Sequence, residues 1–193
     1  MERILKILVG CSALLAPLSH AQAEECTFTK AAEDMNAQET DAIYACLKDK
    51  LAAAYGKAGH EVASKYRNWK AASTRPATPG VHGERFLMTF VNDVGYDAYT
   101  DFKDEDVKMP IGTIIAKESF KANKKNKVAI GPLLIMTKLA EGAAPDFGDW
   151  KYSGVAPNGK EFKVSQKFCH TCHGVFSTQD SLGYPVEDVR VKK

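Results

Sequence analysis

The chain lacks any strong excess of charge, with 26 basic and 24 acidic residues among 193 and a formal net charge of +2. Such a balance provides no basic surface, so no nucleic-acid partner is predicted. Beyond residues 1–23 the chain also lacks an apolar run long enough for a bilayer, so no membrane span is expected. Internal repeats and low-complexity tracts are absent, which favours one globular domain with a small appendage.

Residues 1–23 have the pattern of a secretory signal peptide. Arg3 and Lys6 provide the positive start, residues 7–18 form the apolar run, and Ala-Gln-Ala at 21–23 is a cleavage site of small residues. We therefore expect export to the periplasm with removal of residues 1–23. An N-terminal core helix is the alternative.

Only five cysteines are present, and two of them stand in the motif Cys169-His170-Thr171-Cys172-His173 near the C-terminus. In c-type haem attachment, two cysteines at this spacing bind the haem covalently, and the histidine that follows becomes an axial iron ligand. The signal is short but demanding, because residue types and order must all agree. We predict one covalent haem c, with Cys169 and Cys172 as thioethers and His173 as proximal ligand and metal-binding residue.

Three other interpretations of the motif remain open. A structural zinc site usually takes a second ligand pair from elsewhere, but the other cysteines, Cys26 and Cys46, are 20 residues apart. A thioredoxin-like redox pair would sit near a βαβ pattern, and the sequence shows none. Chance occurrence is the third interpretation, and the spacing favours haem over all of them.

Cys26 and Cys46 are an even pair once Cys11 leaves with the signal peptide and the haem takes the two C-terminal cysteines. An oxidising compartment favours a disulfide between them. Closing a loop of this length contributes roughly 3 kcal/mol in the chain-entropy model. Two free buried thiols are the alternative.

Residues 24–79 are predicted to form a helical N-terminal segment. Apolar side chains recur there at helical spacing, at Ile43, Leu47, Leu51 and Tyr55. Gly56 and Gly59 are expected to end this helix, and a second helical run follows over residues 62–69. Residues 71–83 are rich in proline and glycine and predict a loop.

From residue 80 onwards the pattern changes to that of strands. Aromatic and β-branched residues are enriched in four segments, 85–91, 113–120, 128–138 and 148–155. Residues 161–168 are expected to lead into the haem motif as a helix. The order predicts an α+β fold: N-terminal helices, then a mainly antiparallel β-sheet domain over residues 80–193 with a C-terminal c-type haem site.

The position of the motif restricts the architecture, because no methionine follows His173 and the last two are Met109 and Met136. This excludes the small electron-transfer plan in which a methionine downstream of the haem becomes the sixth ligand. Without a strong second ligand the iron has an open position, which favours binding or chemistry of a small molecule. An electron-transfer cytochrome would need a sixth ligand such as Met88, Met109 or a histidine.

Three segments in this order resemble the cytochrome P-460 family, whose relatives include the cytochrome c′-beta proteins. They are HGER at residues 82–85, MPIGTIIAKESF at residues 109–120, and GDWKY at residues 148–152. The haem motif follows them, and the resemblance covers roughly residues 80–185. The resemblance implies a mainly antiparallel β fold, one haem with a proximal histidine, and an open distal face.

In the hydroxylamine-oxidising members of that family, a lysine is cross-linked to the haem edge, and Lys117 matches its motif. The resemblance therefore implies oxidation of hydroxylamine or a related nitrogen compound, with electrons passing to a soluble acceptor cytochrome. A nitric oxide or gas binder without turnover is the alternative, and an electron-transfer cytochrome the second. For Lys117 itself, a strand lysine facing solvent is the other reading. A homodimer is possible among such proteins.

The remaining candidates are two polar residues at the start of the strand region and three phenylalanines within it. Arg85 is a candidate for contacting a haem propionate or a bound ligand, with a plain surface arginine as the alternative. His82 is a candidate distal residue, with a structural hydrogen-bonding histidine as the alternative. Phe86, Phe90 and Phe120 are expected in the core, with capping of the open haem face as the other reading.

Overall fold

The computed structural model describes residues 25–193, so the predicted signal peptide lies outside the described residues. Helix α1 (Ala37–Gly56) begins at a capping box, in which the Asn36 side chain accepts from the Glu39 backbone and the Glu39 carboxylate accepts in return. Helix α2 (Glu61–Lys65) follows. The predicted helix and its end at Gly56 are confirmed. In the described part of the chain, no helix is long and apolar enough to cross a bilayer.

Within residues 25–193, seven strands form one antiparallel sheet: β1 (Lys70–Ala71), β2 (Phe86–Val91), β3 (Ile114–Ala122), β4 (Val128–Ile130), β5 (Leu133–Lys138), β6 (Trp150–Val155) and β7 (Glu161–Phe162). The strand order is β1-β2-β3-β5-β6-β7, and β4 also pairs with β3. The short helices α3 (Val81–Glu84) and α4 (Tyr96–Tyr99) flank β2. The α+β fold with an antiparallel sheet is confirmed.

The predicted helix over residues 161–168 is wrong at its start. Ala156 and Lys160 close a turn, and β7 then pairs back on β6, with Gly154 opposite Phe162. Helix α5 (Gln166–His173) begins only after this hairpin. Strands β1 and β7 are only two residues long, and so short a segment shows no periodicity. Neither strand could therefore be predicted from the sequence.

The sheet is covered on two sides. On the helix-facing side, α1 and α2 pack on inward residues of the strands: Phe86, Met88, Phe90, Ala116, Phe120, Leu133 and Ile135. On the opposite side, here called the site side, a second cluster joins the sheet to α4 and the C-terminal segment: Val91, Tyr99, Ile115, Met136, Trp150, Tyr152 and Leu182. Successive strand residues point to opposite faces, which separates the two sets. The three phenylalanines are therefore core residues, as expected.

Cys26 and Cys46 form a disulfide that joins the segment before α1 to the middle of that helix. Thr27 forms a β-bridge with Lys127, so the same segment also borders the β3–β4 turn. The disulfide therefore ties α1 to a segment that also contacts the sheet, and both of its cysteines are far from the haem motif in sequence.

Candidate functional site

The haem motif lies on α5, which docks on the edge of β6 through one side chain. The Gln166 amide donates to the Tyr152 carbonyl (2.7 Å) and accepts from the Tyr152 amide (2.8 Å). This side chain occupies the position of a neighbouring strand just beyond the end of β7, and it satisfies both backbone groups of Tyr152. This role of Gln166 was not predictable from the sequence, because a lone glutamine at the start of a helix has many uses.

Cys169 and Cys172 are free thiols one helical turn apart. Cys169 packs against the site-side cluster, and burial raises the pKa of its thiol. Cys172 is exposed, and large apolar side chains at Phe168 (78% exposed) and Val175 (74%) lie around it. An exposed apolar stripe beside two thiols is a surface that a flat, apolar, covalently attached group would cover.

His173, the last residue of α5, has a fixed tautomer. Its Nδ1 lies 2.9 Å from the Ser181 carbonyl oxygen, which can only accept, so Nδ1 carries the proton and Nε2 keeps a lone pair. Burial, followed by the charge of Lys117, lowers the pKa of His173 to about 4. The neutral ring, with its second nitrogen tied to a carbonyl, is the form in which histidine binds a metal.

The Ser181 carbonyl is held by a strained turn that the sequence did not reveal. Asp180 and Ser181 have φ of 55° and 62°, in the left-handed region that costs a non-glycine residue about 1 kcal/mol or more. The Asp180 carboxylate pairs with Lys138 (2.6 Å) and accepts from the Met109 amide (2.8 Å), and its carbonyl accepts from the Trp150 indole (2.8 Å). These contacts hold the acceptor of His173 in place. They join residues 30 to 71 positions apart, so no local pattern predicts them.

Lys117 is buried in the centre of β3 and does not face solvent. Its exposure is 8%, and strands β2 and β5 flank it, with Thr89 and Leu134 as register partners. Its ammonium donates to the Gly183 carbonyl (2.8 Å), and no carboxylate within residues 25–193 pairs with it. Burial lowers the pKa of Lys117 to about 8. The solvent-facing reading of Lys117 is therefore wrong.

His82 and Arg85 are close in sequence but lie in different surroundings. The His82 ring lies 6.1 Å from the His173 ring, centroid to centroid. Burial of the ring, followed by the charges of Lys117 and His173, lowers the pKa of His82, although the residue as a whole is exposed. Arg85 packs its Cδ beside Gly131 and lies near Tyr55 on the helix-facing side, where burial raises the pKa of Tyr55 despite the Arg85 charge. Its contact with a haem or ligand stays a prediction.

Glu118, the neighbour of Lys117, points to the helix-facing side. This fully buried carboxylate accepts from the Tyr44 hydroxyl (2.7 Å) and the Tyr66 hydroxyl (2.6 Å), and it pairs with Arg67 (2.7 Å). Burial raises the pKa of Glu118 despite these three donors. This network was not predicted from the sequence, although a charged residue next to Lys117 in a buried strand was a signal for it.

The zinc-site and thioredoxin-like interpretations of the motif lose support. Within residues 25–193, no group of three or more His, Cys, Asp or Glu side chains is arranged to hold a metal ion, so a zinc site has no ligand set. Strands β1–β7 pair only antiparallel, so a thioredoxin-like βαβ unit is absent from the described sheet. The donor set of two thiols and one neutral histidine on one helix fits a c-type haem.

Two buried hydroxyls are a second feature that fits such a group. In the described part of the chain, the hydroxyls of Tyr99 and Tyr184 are buried without a hydrogen-bond partner. Their rings lie 5.2 Å apart, in the cluster that also includes Cys169. Buried polar groups are normally satisfied, and orphaned ones collect where a ligand belongs. The site side therefore has both an apolar surface and polar atoms left for a cofactor.

Comparison with known proteins agrees with this geometry. No curated protein matches the chain. A family model described as Cytochrome P460 matches residues 63–182, which is more than half of the chain. The match includes Lys117, the whole haem motif and the strained turn that holds His173. The chain therefore belongs to the cytochrome P460 family, and it is a haem cytochrome of the c type.

Proposed function

We propose that this chain is an exported mono-haem cytochrome that oxidises hydroxylamine or a related small nitrogen compound and passes the electrons to an acceptor cytochrome. One haem c is held by Cys169 and Cys172, with His173 as proximal ligand. The observation that carries the proposal is Lys117, a buried amine whose charge acts on His173. When bound, the haem supplies a redox-active iron for the reaction.

The chemistry of Lys117 supports a catalyst. An amine forms a covalent bond only through its lone pair, so the protonated form is unreactive. Because burial lowers its pKa to about 8, Lys117 has far more neutral amine at mildly alkaline pH than an exposed lysine has. Hydrogen-bonded strands on both sides hold its backbone. A rigidly held amine with a lowered pKa supports Lys117 as the residue of the haem cross-link that the family resemblance implies.

Oxidation of hydroxylamine also releases protons, and Glu118 is not their acceptor. Its carboxylate lies on the helix-facing side and is already bonded to Tyr44, Tyr66 and Arg67. On the site side, burial lowers the pKa of His82 to about 4, so this imidazole is a weak base at neutral pH. We assign proton removal to solvent near this residue.

One observation favours the alternative, a nitric oxide or gas binder without turnover. The Lys117 ammonium already has a good acceptor in the Gly183 carbonyl, so it can remain a positive charge beside a bound ligand without covalent attachment. Whether the cross-link forms therefore separates catalyst from gas binder.

The electron-transfer alternative has fewer ligands than the sequence suggested. Met88 belongs to the helix-facing cluster and accepts from the Ser73 hydroxyl, so it lies across the sheet from His173. Met109 is buried in the site-side cluster, where its backbone amide is held by Asp180. A protein sixth ligand that hydroxylamine does not displace would favour this function.

Export and electron exchange complete the proposal. The periplasm is an oxidising compartment, where a disulfide such as Cys26–Cys46 persists. Every residue of α5 keeps some solvent exposure, so a haem attached there lies near the surface, within reach of an acceptor cytochrome. A homodimer remains a prediction.

The test is a preparation of the protein made with haem-attachment machinery. Mass spectrometry of the haem peptides should find residues 169–173 joined through the haem to a fragment that contains Lys117. The wild type should oxidise hydroxylamine with a soluble oxidant, and Lys117→Arg should lose this turnover while it keeps the thioether-bound haem.

Lys121→Ala is the matched control, because Lys121 lies on the same face of β3 but is only half-buried at its end. It should keep both the cross-link and the turnover. Haem attached at residues 169–173 alone, with nitric oxide binding and no turnover, would support the gas binder. A protein that carries stoichiometric zinc and no haem would refute every haem reading.

A further inference from the structure

The C-terminal segment, residues 183–193, begins with the group that accepts from Lys117. The Lys117 Nζ donates to the Gly183 carbonyl oxygen (2.8 Å). A flexible four-carbon stem separates this amine from its backbone, so strand pairing in β3 fixes the Lys117 backbone but not the direction of the amine. The carbonyl sets that direction, and it can do so only while the segment that carries it stays in place.

The chemical nature of this acceptor suits a reactive amine. A carboxylate beside Lys117 would favour the charged ammonium strongly, because opposite charges attract. A carbonyl oxygen is uncharged and accepts an N–H from the neutral amine as well as from the ammonium, so the amine keeps its lone pair for another partner. The bond to Gly183 therefore orients the Lys117 amine without holding it in the protonated form.

Aromatic packing anchors the start of the C-terminal segment. The Tyr184 ring contacts Tyr99 and Phe102 edge-on, with centroids 5.2 and 5.4 Å apart. The Arg190 guanidinium lies over the rings of Tyr184 and Phe102, 5.6 and 5.1 Å from their centroids. Arg190 Nε also donates to the Pro185 carbonyl (2.9 Å), so the segment turns back and closes over Tyr184.

Backbone pairing anchors the other end of the segment to the sheet. The Thr74 amide donates to the Val189 carbonyl (2.8 Å), and the Val191 amide donates to the Ala72 carbonyl (3.3 Å). The Val189 side chain is buried. Residues 72–74 follow β1 directly, so both ends of the segment are attached to the body of the protein.

We propose that the C-terminal segment is a positioning element for Lys117, which holds the Gly183 carbonyl and thereby keeps the Lys117 amine in the orientation for cross-linking to the haem. The family match ends at residue 182, so this element belongs to the part of the chain that the match does not cover. The inference rests on the proposed function, and it adds Tyr184 and Arg190 as the residues on which the yield of the cross-link depends.

The first test is the fraction of haem joined to Lys117 in the holoprotein, measured by mass spectrometry of the haem peptides. Tyr184→Ala and Arg190→Ala should keep the thioether-bound haem, while this fraction falls about fivefold, the effect of one lost hydrogen bond. Arg190→Ala leaves the packed rings in place, so it tests the proposal even where Tyr184→Ala does not fold. Asp188→Asn is the matched control in the same segment, because its exposed carboxylate contributes little, and it should equal the wild type.

The second test measures the position of the amine without haem. In the Cys169→Ala/Cys172→Ala background, the NMR order parameter of the Lys117 Cε methylene should fall in both segment variants towards the value of exposed lysines. Lys138, the other buried lysine among residues 25–193, is the internal reference and should not change. An unchanged order parameter for Lys117, or an equal fall for both lysines, would overturn the proposal.

The two tests together separate this inference from the proposed function. If only Lys117 becomes mobile in the variants and the wild-type holoprotein has no cross-link, the positioning stands and the proposed catalysis fails. A cross-link that forms with the same yield in the wild type, Tyr184→Ala and Arg190→Ala is the opposite case, in which the catalysis stands and the positioning is refuted.

Discussion

Lys117 and Glu118 are adjacent residues of β3, and the two sides of the sheet treat them differently. On the helix-facing side, Glu118 is fully buried and receives three donors from Tyr44, Tyr66 and Arg67. On the site side, Lys117 has one backbone carbonyl as its acceptor. One face of the sheet surrounds its buried charge with side-chain donors, and the other gives its buried charge no carboxylate partner among residues 25–193.

The packing around these residues shows the same contrast. The helix-facing cluster is closed by α1, α2 and the stacked pair Phe86–Phe120, whose centroids are 5.0 Å apart. On the site side, two tyrosine hydroxyls among residues 25–193 are buried without partners, and apolar side chains around Cys172 are exposed. The difference indicates that one side provides stability and the other provides chemistry.

The largest expected effect is on haem attachment. Cys169→Ala combined with Cys172→Ala removes both thioether donors, so covalent haem should be lost completely, while Cys26→Ser with Cys46→Ser should retain it. In-gel haem staining after denaturation measures this directly. Covalent haem in the Cys169→Ala/Cys172→Ala variant would contradict the attachment site. The two cysteine pairs would then not differ in function as expected.

The next largest effect is on the free energy of unfolding, which should respond differently to substitution of Glu118 and of Lys117. Glu118→Ala leaves two tyrosine hydroxyls and Arg67 without their buried acceptor, so the free energy of unfolding should fall by about 3–5 kcal/mol. Lys117→Met removes a buried charge that lacks a counter-ion, so it should leave stability unchanged or raised. Chemical denaturation measures both. Equal losses in the two variants would refute the functional contrast between the two sides.

A third effect is a pH dependence that belongs to Lys117. Burial lowers its pKa from 10.5 to about 8, so between these values the unfolded chain binds more protons than the folded one. The free energy of unfolding should therefore rise with pH through this window, by up to about 3 kcal/mol. Denaturation at both ends of the window, in the haem-free Cys169→Ala/Cys172→Ala background, should show the rise with Lys117 and not with Lys117→Met. If the free energy of unfolding rose equally with pH in both proteins, the pH dependence would belong to another group.

The smallest effect concerns the turn behind the proximal ligand. Asp180→Asn weakens the pairing with Lys138, which holds the Ser181 carbonyl against His173 Nδ1. A looser acceptor makes the imidazole a weaker donor to iron, so the reduction potential should rise. Potentiometry of the holoprotein measures the shift. Asp188→Asn, in the exposed pair with Arg75, is the control and should leave the potential unchanged.

Several features were predictable because they are local. The apolar spacing of the sequence predicts helix α1, and alternation along β3 places Lys117 on the opposite side of the sheet from Phe120. The haem motif is a contiguous signal, and the family match agrees with the resemblance drawn from three segments.

The supporting residues were not predictable, because they act across the fold. Gln166 replaces a strand neighbour, and Asp180 holds its turn through Lys138 and Trp150, each far away in sequence. The approach of His82 to His173 depends on three left-handed residues, which only glycine at position 83 favours locally. Such contacts depend on the tertiary fold and produce no periodic pattern in the sequence.

The docking of α5 has a consequence for how the protein matures. This helix meets the sheet through polar contacts of Gln166 and His170 with Tyr152, while His173 bonds to Ser181, and all its residues keep some exposure. The sheet and α1 have their own core, so we expect them to fold whether or not α5 is in place. If haem is attached at these cysteines as proposed, both thiols are then accessible on an otherwise folded protein, and we expect docking of the haem-bearing helix to be the last step of assembly.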